Sequence, residues 1–260
     1  MAKINVVLSG SGANFTVHIG ALYALTKELA FDINSITCVS GGALIGGLVA
    51  AGISLEDLLD AVLRVDLREL IQPVPWWKRL FVKHFYETNK VAEYLKYLTG
   101  NCSIKECKYD IAIVTTDYMK CDRKIFTKND DIELWRAILA SMSVPILFPP
   151  VKWQGYILRD GAVVNNMPID IATELFGEPV IGIKVVPPKT YIKPGSWKFE
   201  LISLIDSFMT ALDREHMEEN ADKVVFVKCG WQSFNFDIPI EVRRAQFEAG
   251  RQAVLRYYNK

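Results

Sequence analysis

Short, uninterrupted apolar runs alternate in the first half of this chain with longer segments whose apolar residues recur at helical spacing. The first such run is Ile4–Leu8, and the second is Ile36–Val39. A half-exposed strand has a polar residue at every second position, so a continuous apolar run indicates a strand that is covered on both faces. The alternation therefore predicts an α/β protein, in which a parallel sheet has helices on both sides.

The same patterns continue through the rest of the chain. No internal repeat and no linker rich in Gly, Ser or Pro divides it, so residues 1–260 are predicted to form a single domain. Ser54 followed by Asp57 is typical of a helix N-terminus. The further predicted strands are Tyr109–Thr115, Val180–Val186 and Val224–Val227, and the predicted helices are Val17–Leu29, 41–52, 54–70, Val91–Leu98, Ile132–Met142, Leu201–Glu218 and Ile240–Tyr257.

The composition disfavours several classes of protein. Thirty Lys and Arg balance thirty Asp and Glu, and this zero net charge disfavours nucleic-acid binding that is driven by bulk charge. Half of the residues are hydrophobic, which excludes a disordered chain. The five cysteines are odd in number and lack Cys-x-x-Cys spacing. They are therefore predicted to be reduced thiols in a reducing compartment, and we expect no metal framework.

One stretch imitates a membrane span, because residues 33–55 contain no charged side chain over 23 positions. Five glycines and four early polar residues interrupt it, and this composition favours a buried strand, a sharp turn and a buried helix of a soluble core. The apolar run after Lys3 is too short for a secretion signal. We therefore expect a cytoplasmic protein, with peripheral membrane association and export without a leader left open.

The turn after the second predicted strand is the first of three segments suited to chemistry. Its sequence is Cys38-Val39-Ser40-Gly41-Gly42, in which the residues next to Ser40 are small or β-branched. Between a buried strand and a buried helix, such a turn can hold a serine hydroxyl at a strained corner, as in a nucleophile elbow. N–H groups at the start of the following helix would face negative charge that develops near Ser40. The alternative is that Ser40 only caps this helix.

A glycine-rich loop, Ser9-Gly10-Ser11-Gly12-Ala13, follows the first predicted strand. One hypothesis is that its backbone N–H groups bind an oxyanion. A nucleotide-binding loop of a Rossmann-like protein is the second, although Phe15 stands where that fingerprint has its third glycine. The third is an ordinary turn between a strand and a helix.

The third segment begins at Asp160-Gly161 and continues to Pro168. An Asp-Gly pair is most often a simple turn. A serine nucleophile needs a base, and none of the three histidines, His18, His84 and His216, has a sequence context that suggests a catalytic triad. Because triad partners need not be near one another in sequence, the residues alone leave the base open.

Taken together, the order and spacing of these three segments resemble the patatin-like phospholipase family of lipid acyl hydrolases. That family has a glycine-rich oxyanion loop, then a Gly-x-Ser-x-Gly elbow, then an Asp-Gly-Gly or Asp-Gly-Ala. The run from Ala140 to Pro150 and the residues from Val163 to Pro168 are also similar to the family's sequences around its aspartate. The resemblance covers residues 8–168.

The resemblance implies a three-layer α/β/α fold with a mainly parallel central sheet, a Ser-Asp dyad without a catalytic histidine, and no cofactor. It implies that Ser40 is the nucleophile and that Asp160 is the general base and acid. The implied reaction is hydrolysis of fatty-acyl esters of phospholipids or related lipids through an acyl-enzyme. The backbone N–H groups of Gly10, Ser11 and Gly12 would form the oxyanion hole.

Four residues depart from the family pattern. Cys38 replaces the first glycine of the elbow. Ser11 replaces a glycine, which would strain the loop if this residue has a positive φ. Asn14 and Phe15 stand where the family commonly has Arg-Gly. His18 matches a histidine of many bacterial members and is predicted to be structural. The departures at Ser11, Asn14 and Phe15 motivate an alternative function, a catalytically silent lipid-binding or interaction protein on the same fold.

Residues 71–86 contain no acidic side chain and combine aromatic residues with basic ones. At helical spacing, the large apolar residues between Trp77 and Phe85 would share one side. This composition suits a lid or a lipid interface. The alternative is an aromatic stripe packed in the core. The candidate membrane contacts are Trp76, Trp77, Lys78 and Arg79.

Overall fold

The computed structural model describes residues 2–188 and 221–259, together with residues 203, 204 and 207. Apart from those three positions, the predicted helix at 201–218, with His216, lies outside the described residues. The strands are β1 (Lys3–Leu8), β2 (Asp32–Val39), β3 (Gln72–Pro73), β4 (Tyr86–Glu87), β5 (Asp110–Asp117), β6 (Asp122–Thr127), β7 (Val151–Trp153), β8 (Tyr156–Asp160), β9 (Val180–Val186) and β10 (Val224–Lys228). The α-helices are α1 (Thr16–Tyr23), α2 (Gly41–Ala50), α3 (Leu55–Arg64), α4 (Leu67–Leu70), α5 (Asn89–Thr99), α6 (Leu134–Ser141), α7 (Ile169–Phe176) and α8 (Ile240–Tyr258).

The central sheet has the strand order β10-β9-β1-β2-β5-β8-β7, and β6 also pairs with β5. Strands β10, β9, β1, β2 and β5 are parallel to one another, which confirms the prediction of a mainly parallel sheet. Strands β6, β7 and β8 run antiparallel to their partners. This antiparallel part is not predicted from the sequence, because these strands are short or half-exposed and lack a continuous apolar run.

Helices cover both faces of the sheet. On β1, Val6 and Leu8 belong to the main core, which also contains residues of α1, α2, α6 and α8. Val7 points to the opposite face and packs with Ile169 and Ala172 of α7. Because side chains alternate along a strand, a strand that is apolar at successive positions requires such cover on both sides. This arrangement is the predicted three-layer α/β/α fold.

Residues 33–55 form most of β2, the whole of α2 and the start of α3, as the strand–turn–helix alternative predicts. Strand β2 is paired on both edges, by β1 and β5, and all but one of the ten residues of α2 are buried. In the part of the chain that the structure describes, every helix is too short or too polar to cross a bilayer. The uncharged character of this stretch therefore reflects burial inside a protein core.

One predicted helix and one predicted helical spacing differ from the structure. The helix predicted over 54–70 ends at Arg64, because Val65 is extended, and resumes as the single turn α4. The helical spacing predicted within 71–86 is wrong, since this segment forms only one 3-10 turn, Lys78–Leu80, between β3 and β4. Its two prolines, at positions 73 and 75, fix the backbone and remove N–H donors, which disfavours a helix in the first part of the segment.

The register of the sheet brings two of the three sequence segments together. Strand β2 pairs Val39 with Val114 of β5. The next residue of β5, Thr115, pairs with Asp160 at the end of β8. Ser40 follows Val39 directly, so the turn after β2 and the end of β8 meet at the same edge of the sheet.

Candidate active site

Ser40 occupies the turn between β2 and α2 in a strained backbone conformation, with φ +53° and ψ −123°. A residue with a side chain rarely adopts a positive φ, and such strain is concentrated at functional sites. The hydroxyl forms no capping bond to the helix. Ser40 Oγ donates instead to Asp160 Oδ2 at 2.6 Å, a distance typical of a strong hydrogen bond to a carboxylate. The sharp turn therefore aims the hydroxyl at a carboxylate rather than at the helix end.

Asp160 is completely buried, and hydrogen bonds fix its orientation from four sides. Its Oδ1 accepts from the Ala162 N–H at 2.8 Å, which leaves Oδ2 directed at Ser40. Its own N–H donates to the Ser143 carbonyl at 3.0 Å, and its carbonyl accepts from Thr116 Oγ1 at 2.7 Å. The Asp-Gly pair is therefore a turn, as its sequence predicts, and the same turn presents one carboxylate oxygen to the serine.

Burial raises the pKa of the Asp160 carboxyl to about 7, although the hydrogen bonds from Ser40 and Ala162 oppose the shift. The cause is loss of hydration, because a buried carboxylate has no water shell to stabilise its charge. An ordinary aspartate is a weak base at neutral pH, whereas a carboxyl that titrates near pH 7 is suited to accept and return a proton there.

Ser141, at the end of α6, braces the Ser40 turn and has no role in the sequence analysis. Its Oγ accepts from the Ser40 N–H at 2.9 Å and donates to the Val114 carbonyl at 2.6 Å. The Ser40 N–H therefore already has a hydrogen-bond acceptor within the protein. The only sequence signal for Ser141 is its place in the run from Ala140 to Pro150, since a contact across 101 residues cannot be read from local pattern.

The glycine-rich loop packs directly against the turn. A Cβ atom on Gly41 would lie 2.3 Å from Ser11 Oγ and 2.9 Å from the Gly12 carbonyl, so the residue after Ser40 has to be glycine. Ser11 has φ −142°, and the strain expected from a serine at this position is therefore absent. The positive φ of the loop falls at Gly12, φ +53°, where a Cβ would also collide with the Ser233 carbonyl.

Unpaired backbone N–H groups lie on both sides of the Ser40 turn, in the glycine-rich loop and at the start of α2. The N–H groups of Ser11, Gly12 and Gly41 find no acceptor among residues 2–188 and 221–259. The Gly41 group is one of the unpaired donors that every helix has at its N-terminus. The Gly10 N–H differs from them, because it donates to the Asn166 carbonyl at 3.3 Å.

Asn14 ties the glycine-rich loop to the C-terminal part of the chain. It is completely buried, and its Nδ2 donates to the carbonyls of Ser11 at 3.3 Å and Trp231 at 3.1 Å. Its Oδ1 accepts from Gln246 Nε2 of α8 at 2.9 Å. In the sequence Asn14 is only a departure from the family pattern, whereas the structure shows that its amide has a hydrogen-bonding partner 232 residues away.

Neither of the two described histidines forms a hydrogen bond with the Ser40 hydroxyl or the Asp160 carboxylate. His18 is buried and donates from Nε2 to the Ser9 carbonyl at 2.9 Å, and burial lowers its pKa to about 4. A neutral imidazole with a backbone partner agrees with the structural role predicted for it. His84 lies 3.8 Å from the Glu87 carboxylate.

A narrow apolar cavity of about 90 Å³ opens beside Ser40. Phe15, another departure from the family pattern, forms part of its wall. The cavity is smaller than a typical pocket for a drug-sized ligand, which has about 300–1,000 Å³. Its lining includes Gly12, Leu44, Leu67, Leu70, Ile71, Val91, Leu95, Met142, Val144, Phe148, Phe234 and Phe236. Such a lining suits a slender hydrocarbon chain rather than a polar molecule.

A model of the patatin-like phospholipase family matches residues 6–173, which is more than half of the chain and includes all three segments. The chain belongs to the patatin-like phospholipase family. Similar curated proteins include the neuropathy target esterase of Drosophila melanogaster, 28% identical over 190 residues, which is 70% of this chain and 13% of the relative. A patatin-like phospholipase domain-containing protein of Caenorhabditis elegans is 26% identical over 239 residues, 87% of this chain and 17% of the relative. The chain thus spans less than a fifth of the length of these relatives.

Solved structures with this fold include VipD from Legionella pneumophila, with a TM-score of 0.62, 14% identity and coverage of 98% of this chain and 66% of that one. ExoU from Pseudomonas aeruginosa, solved in complex with SpcU, has a TM-score of 0.55 and 14% identity, over 99% of this chain and 53% of that one. At this level of identity, the likeness supports the fold of this patatin-like chain and nothing finer.

Proposed function

We propose that this patatin-like chain hydrolyses fatty-acyl ester bonds of phospholipids or related lipids, in the manner of a phospholipase A or a lysophospholipase. Ser40 is the nucleophile and Asp160 is the general base and acid. The observation that carries the proposal is the 2.6 Å hydrogen bond from Ser40 Oγ to Asp160 Oδ2, made from a strained turn beside an apolar cavity. Membership of the family supports the same conclusion.

In the first half of the reaction, Ser40 Oγ attacks the ester carbonyl carbon while its proton passes to Asp160 Oδ2. The carbonyl π bond becomes an oxyanion on a tetrahedral intermediate. When this intermediate collapses, the bond to the alcohol oxygen breaks, and Asp160 returns the proton to the leaving alcohol. The acyl group stays on Ser40, with its chain in the apolar cavity.

In the second half, a water molecule gives a proton to Asp160 and attacks the acyl carbon. The new tetrahedral intermediate expels Ser40 Oγ, which takes the proton back from Asp160, and the fatty acid leaves. Asp160 thus accepts and returns one proton in each half. A carboxyl with a pKa of about 7 is matched to both directions of transfer near neutral pH.

We propose that the N–H groups of Ser11, Gly12 and Gly41 stabilise the oxyanion. Their lack of acceptors in the described part of the chain supports this choice, because fixed, unpaired donors cost little reorganisation when charge develops. Gly10, which the family resemblance includes in the hole, already donates to Asn166, so we assign it the lesser part. Gly41 joins the proposed hole, because its N–H is one of those at the start of the following helix that are expected to face charge developing near Ser40.

The alternative function is a catalytically silent lipid-binding or interaction protein on the same fold. Its motivation is weakened by the negative φ of Ser11 and by the Gln246 partner of Asn14, since both departures are accommodated without distortion of the loop. A fluorophosphonate probe and a chain-length series of p-nitrophenyl acyl esters separate the two functions. We expect covalent labelling of the folded protein and turnover that rises from acetyl to longer acyl esters, because the cavity beside Ser40 is apolar. A folded protein that is neither labelled nor active on any ester or phospholipid would favour the silent alternative.

Gln246→Leu is expected to lower kcat by on the order of tenfold and to change KM little. The substitution removes the donor to Asn14 Oδ1, so the loop that carries the Ser11 and Gly12 N–H groups loses its anchor to α8. Complete removal of one oxyanion donor costs about 10²–10³ in kcat, and a shift of the donor costs less. The measurement is steady-state kinetics on a soluble ester.

The matched control is Gln252→Leu on the same helix, whose amide donates to the Glu248 side chain at the surface and makes no other side-chain hydrogen bond within the described residues. This variant should keep wild-type kcat. If Gln246→Leu also keeps wild-type kcat, or if its loss of rate is explained entirely by unfolding in a melting curve, then Gln246 has no positioning role.

A further inference from the structure

The segment between β3 and β4 exposes four large apolar side chains, and we call these four residues the tip. Their exposed fractions are 79% for Trp76, 53% for Trp77, 81% for Leu80 and 83% for Phe81. The alternative of an aromatic stripe packed in the core is therefore wrong for the tip, and within this segment it holds for Phe85, which is buried. A continuous exposed apolar group of this size is typical of a surface that contacts another molecule or a membrane.

Basic side chains surround the tip. Lys78 and Lys83 are exposed, and Lys78 Nζ lies 5.5 Å from the centre of the Trp77 ring. No acidic residue occurs between positions 71 and 86. Aromatic and aliphatic side chains mixed with lysine are the composition of interfacial membrane-binding segments, in which apolar groups enter the head-group region and cations meet lipid phosphates. We propose that the tip docks this protein on the surface of an anionic phospholipid bilayer.

An open depression of about 380 Å³ lies beside the tip and provides a place for a lipid head group. Arg79, Lys83 and His84 contribute to its lining. Two of these side chains are cations, which complement the phosphate of a phospholipid, and Glu87 approaches His84 from one side at 3.8 Å. These cations favour a partner that carries negative charge, and therefore an anionic bilayer over a purely apolar partner.

The base of the tip is continuous with the wall of the Ser40 cavity. The Phe85 and Tyr86 N–H groups donate to the carbonyls of Ile146 and Leu147, at 3.0 and 2.9 Å. Phe85 also packs in one cluster with Phe148, which lines the cavity. Docking of the tip would therefore place the cavity mouth next to the bilayer. The advantage of this placement for hydrolysis rests on the proposed function, whereas the binding of the tip to a bilayer does not.

The contribution of the lysines beside the tip is tested by sedimentation with phosphatidylcholine vesicles that contain or lack phosphatidylserine. Lys78→Gln/Lys83→Gln should weaken partition to the anionic vesicles by about twenty-five-fold, a factor of about five for each cation, and added salt should weaken wild-type partition. Arg79 is left intact because its Nε donates to the Val74 carbonyl at 3.0 Å and holds the segment together. The matched control is Lys3→Gln/Lys108→Gln, which removes two exposed lysines, one at the first position of β1 and one shortly before β5, at the end of the sheet opposite Ser40. This control should partition like the wild type.

The apolar part is tested with Leu80→Ser/Phe81→Ser. Because both side chains are exposed in the free protein, the melting temperature should stay at or above the wild-type value while vesicle partition falls at least tenfold. Ser40→Ala is included in the same assay and should bind vesicles like the wild type, so failure of docking and failure of the catalytic assignment are distinguished. Wild-type partition by both the lysine and the Leu80/Phe81 variants would overturn the proposal and leave the tip to a protein partner.

Discussion

Ser40→Ala is expected to abolish ester hydrolysis and fluorophosphonate labelling while the protein stays folded. The substitution removes one oxygen, which is the proposed nucleophile, from a turn whose backbone an alanine can occupy with the same strain as a serine. Loss of a serine nucleophile costs several powers of ten in kcat, on the order of 10⁶ where it has been measured in a serine hydrolase. The measurements are single-turnover hydrolysis, labelling, and a melting curve.

Ser54→Ala is the matched control, because Ser54 does at α3 what the capping alternative assigns to Ser40 at α2. Ser54 Oγ accepts from the Asp57 N–H at 3.0 Å, whereas Ser40 makes no capping bond. The control should lose about 1 kcal/mol of stability and keep its activity, since loss of a helix cap typically costs that amount. The opposite result, in which Ser40→Ala loses stability and keeps its activity, would show that Ser40 is only a cap.

Asp160→Asn is expected to lower kcat by about 10²–10⁴, the typical contribution of general acid–base catalysis. The amide retains the acceptor for the Ala162 N–H but cannot accept the proton of Ser40. In the wild type, activity should fall as the pH drops below about 7, because the Asp160 carboxyl is then protonated and cannot act as a base. The variant should lack this limb of the pH profile.

The raised pKa of the Asp160 carboxyl also predicts that Asp160→Asn is more stable than the wild type. The pKa of Asp160 is about 7 in the folded protein and about 3.9 for an aspartate in an unfolded chain, so between these values the folded state binds the extra proton. The contribution of Asp160 to wild-type stability therefore falls as the pH rises from about 4 to about 7. We expect the variant to melt above the wild type at pH 8, and the difference to shrink toward pH 4.

Asp117→Asn is the matched control for this substitution. Asp117 is also buried, lies at the end of the neighbouring strand β5, and accepts the N–H of the residue two positions later, Met119, at 3.1 Å. It should keep wild-type activity.

His84→Gln should also remain active, and a folded His18→Gln variant should retain most of its rate. A folded histidine variant as inactive as Ser40→Ala would replace the dyad with a triad.

Local sequence pattern was sufficient for most of the layer architecture. Continuous apolar runs such as Val180–Val186 match strands of the structure, because a strand covered on both faces has no polar position. The antiparallel strands β6 to β8 escaped prediction, although β8 ends in Asp160, because half-exposed and short strands have weaker patterns. Only pairing with β5 makes them part of the sheet.

The sequence by itself determined the candidate nucleophile and the loop that accompanies it, because each lies in a short motif whose residue types are required locally. Asp160 became the candidate base only through the resemblance of the three ordered segments to the family. Small residues surround Ser40, and a glycine occupies the position with positive φ at residue 12. The tertiary structure alone decided how these motifs are oriented and what supports them. The bond from Ser40 to Asp160, the brace from Ser141 and the anchor from Gln246 to Asn14 join residues 120, 101 and 232 positions apart. The pKa of Asp160 was likewise decided by burial, which depends on the packing of the whole sheet and has no signature in the residues next to it.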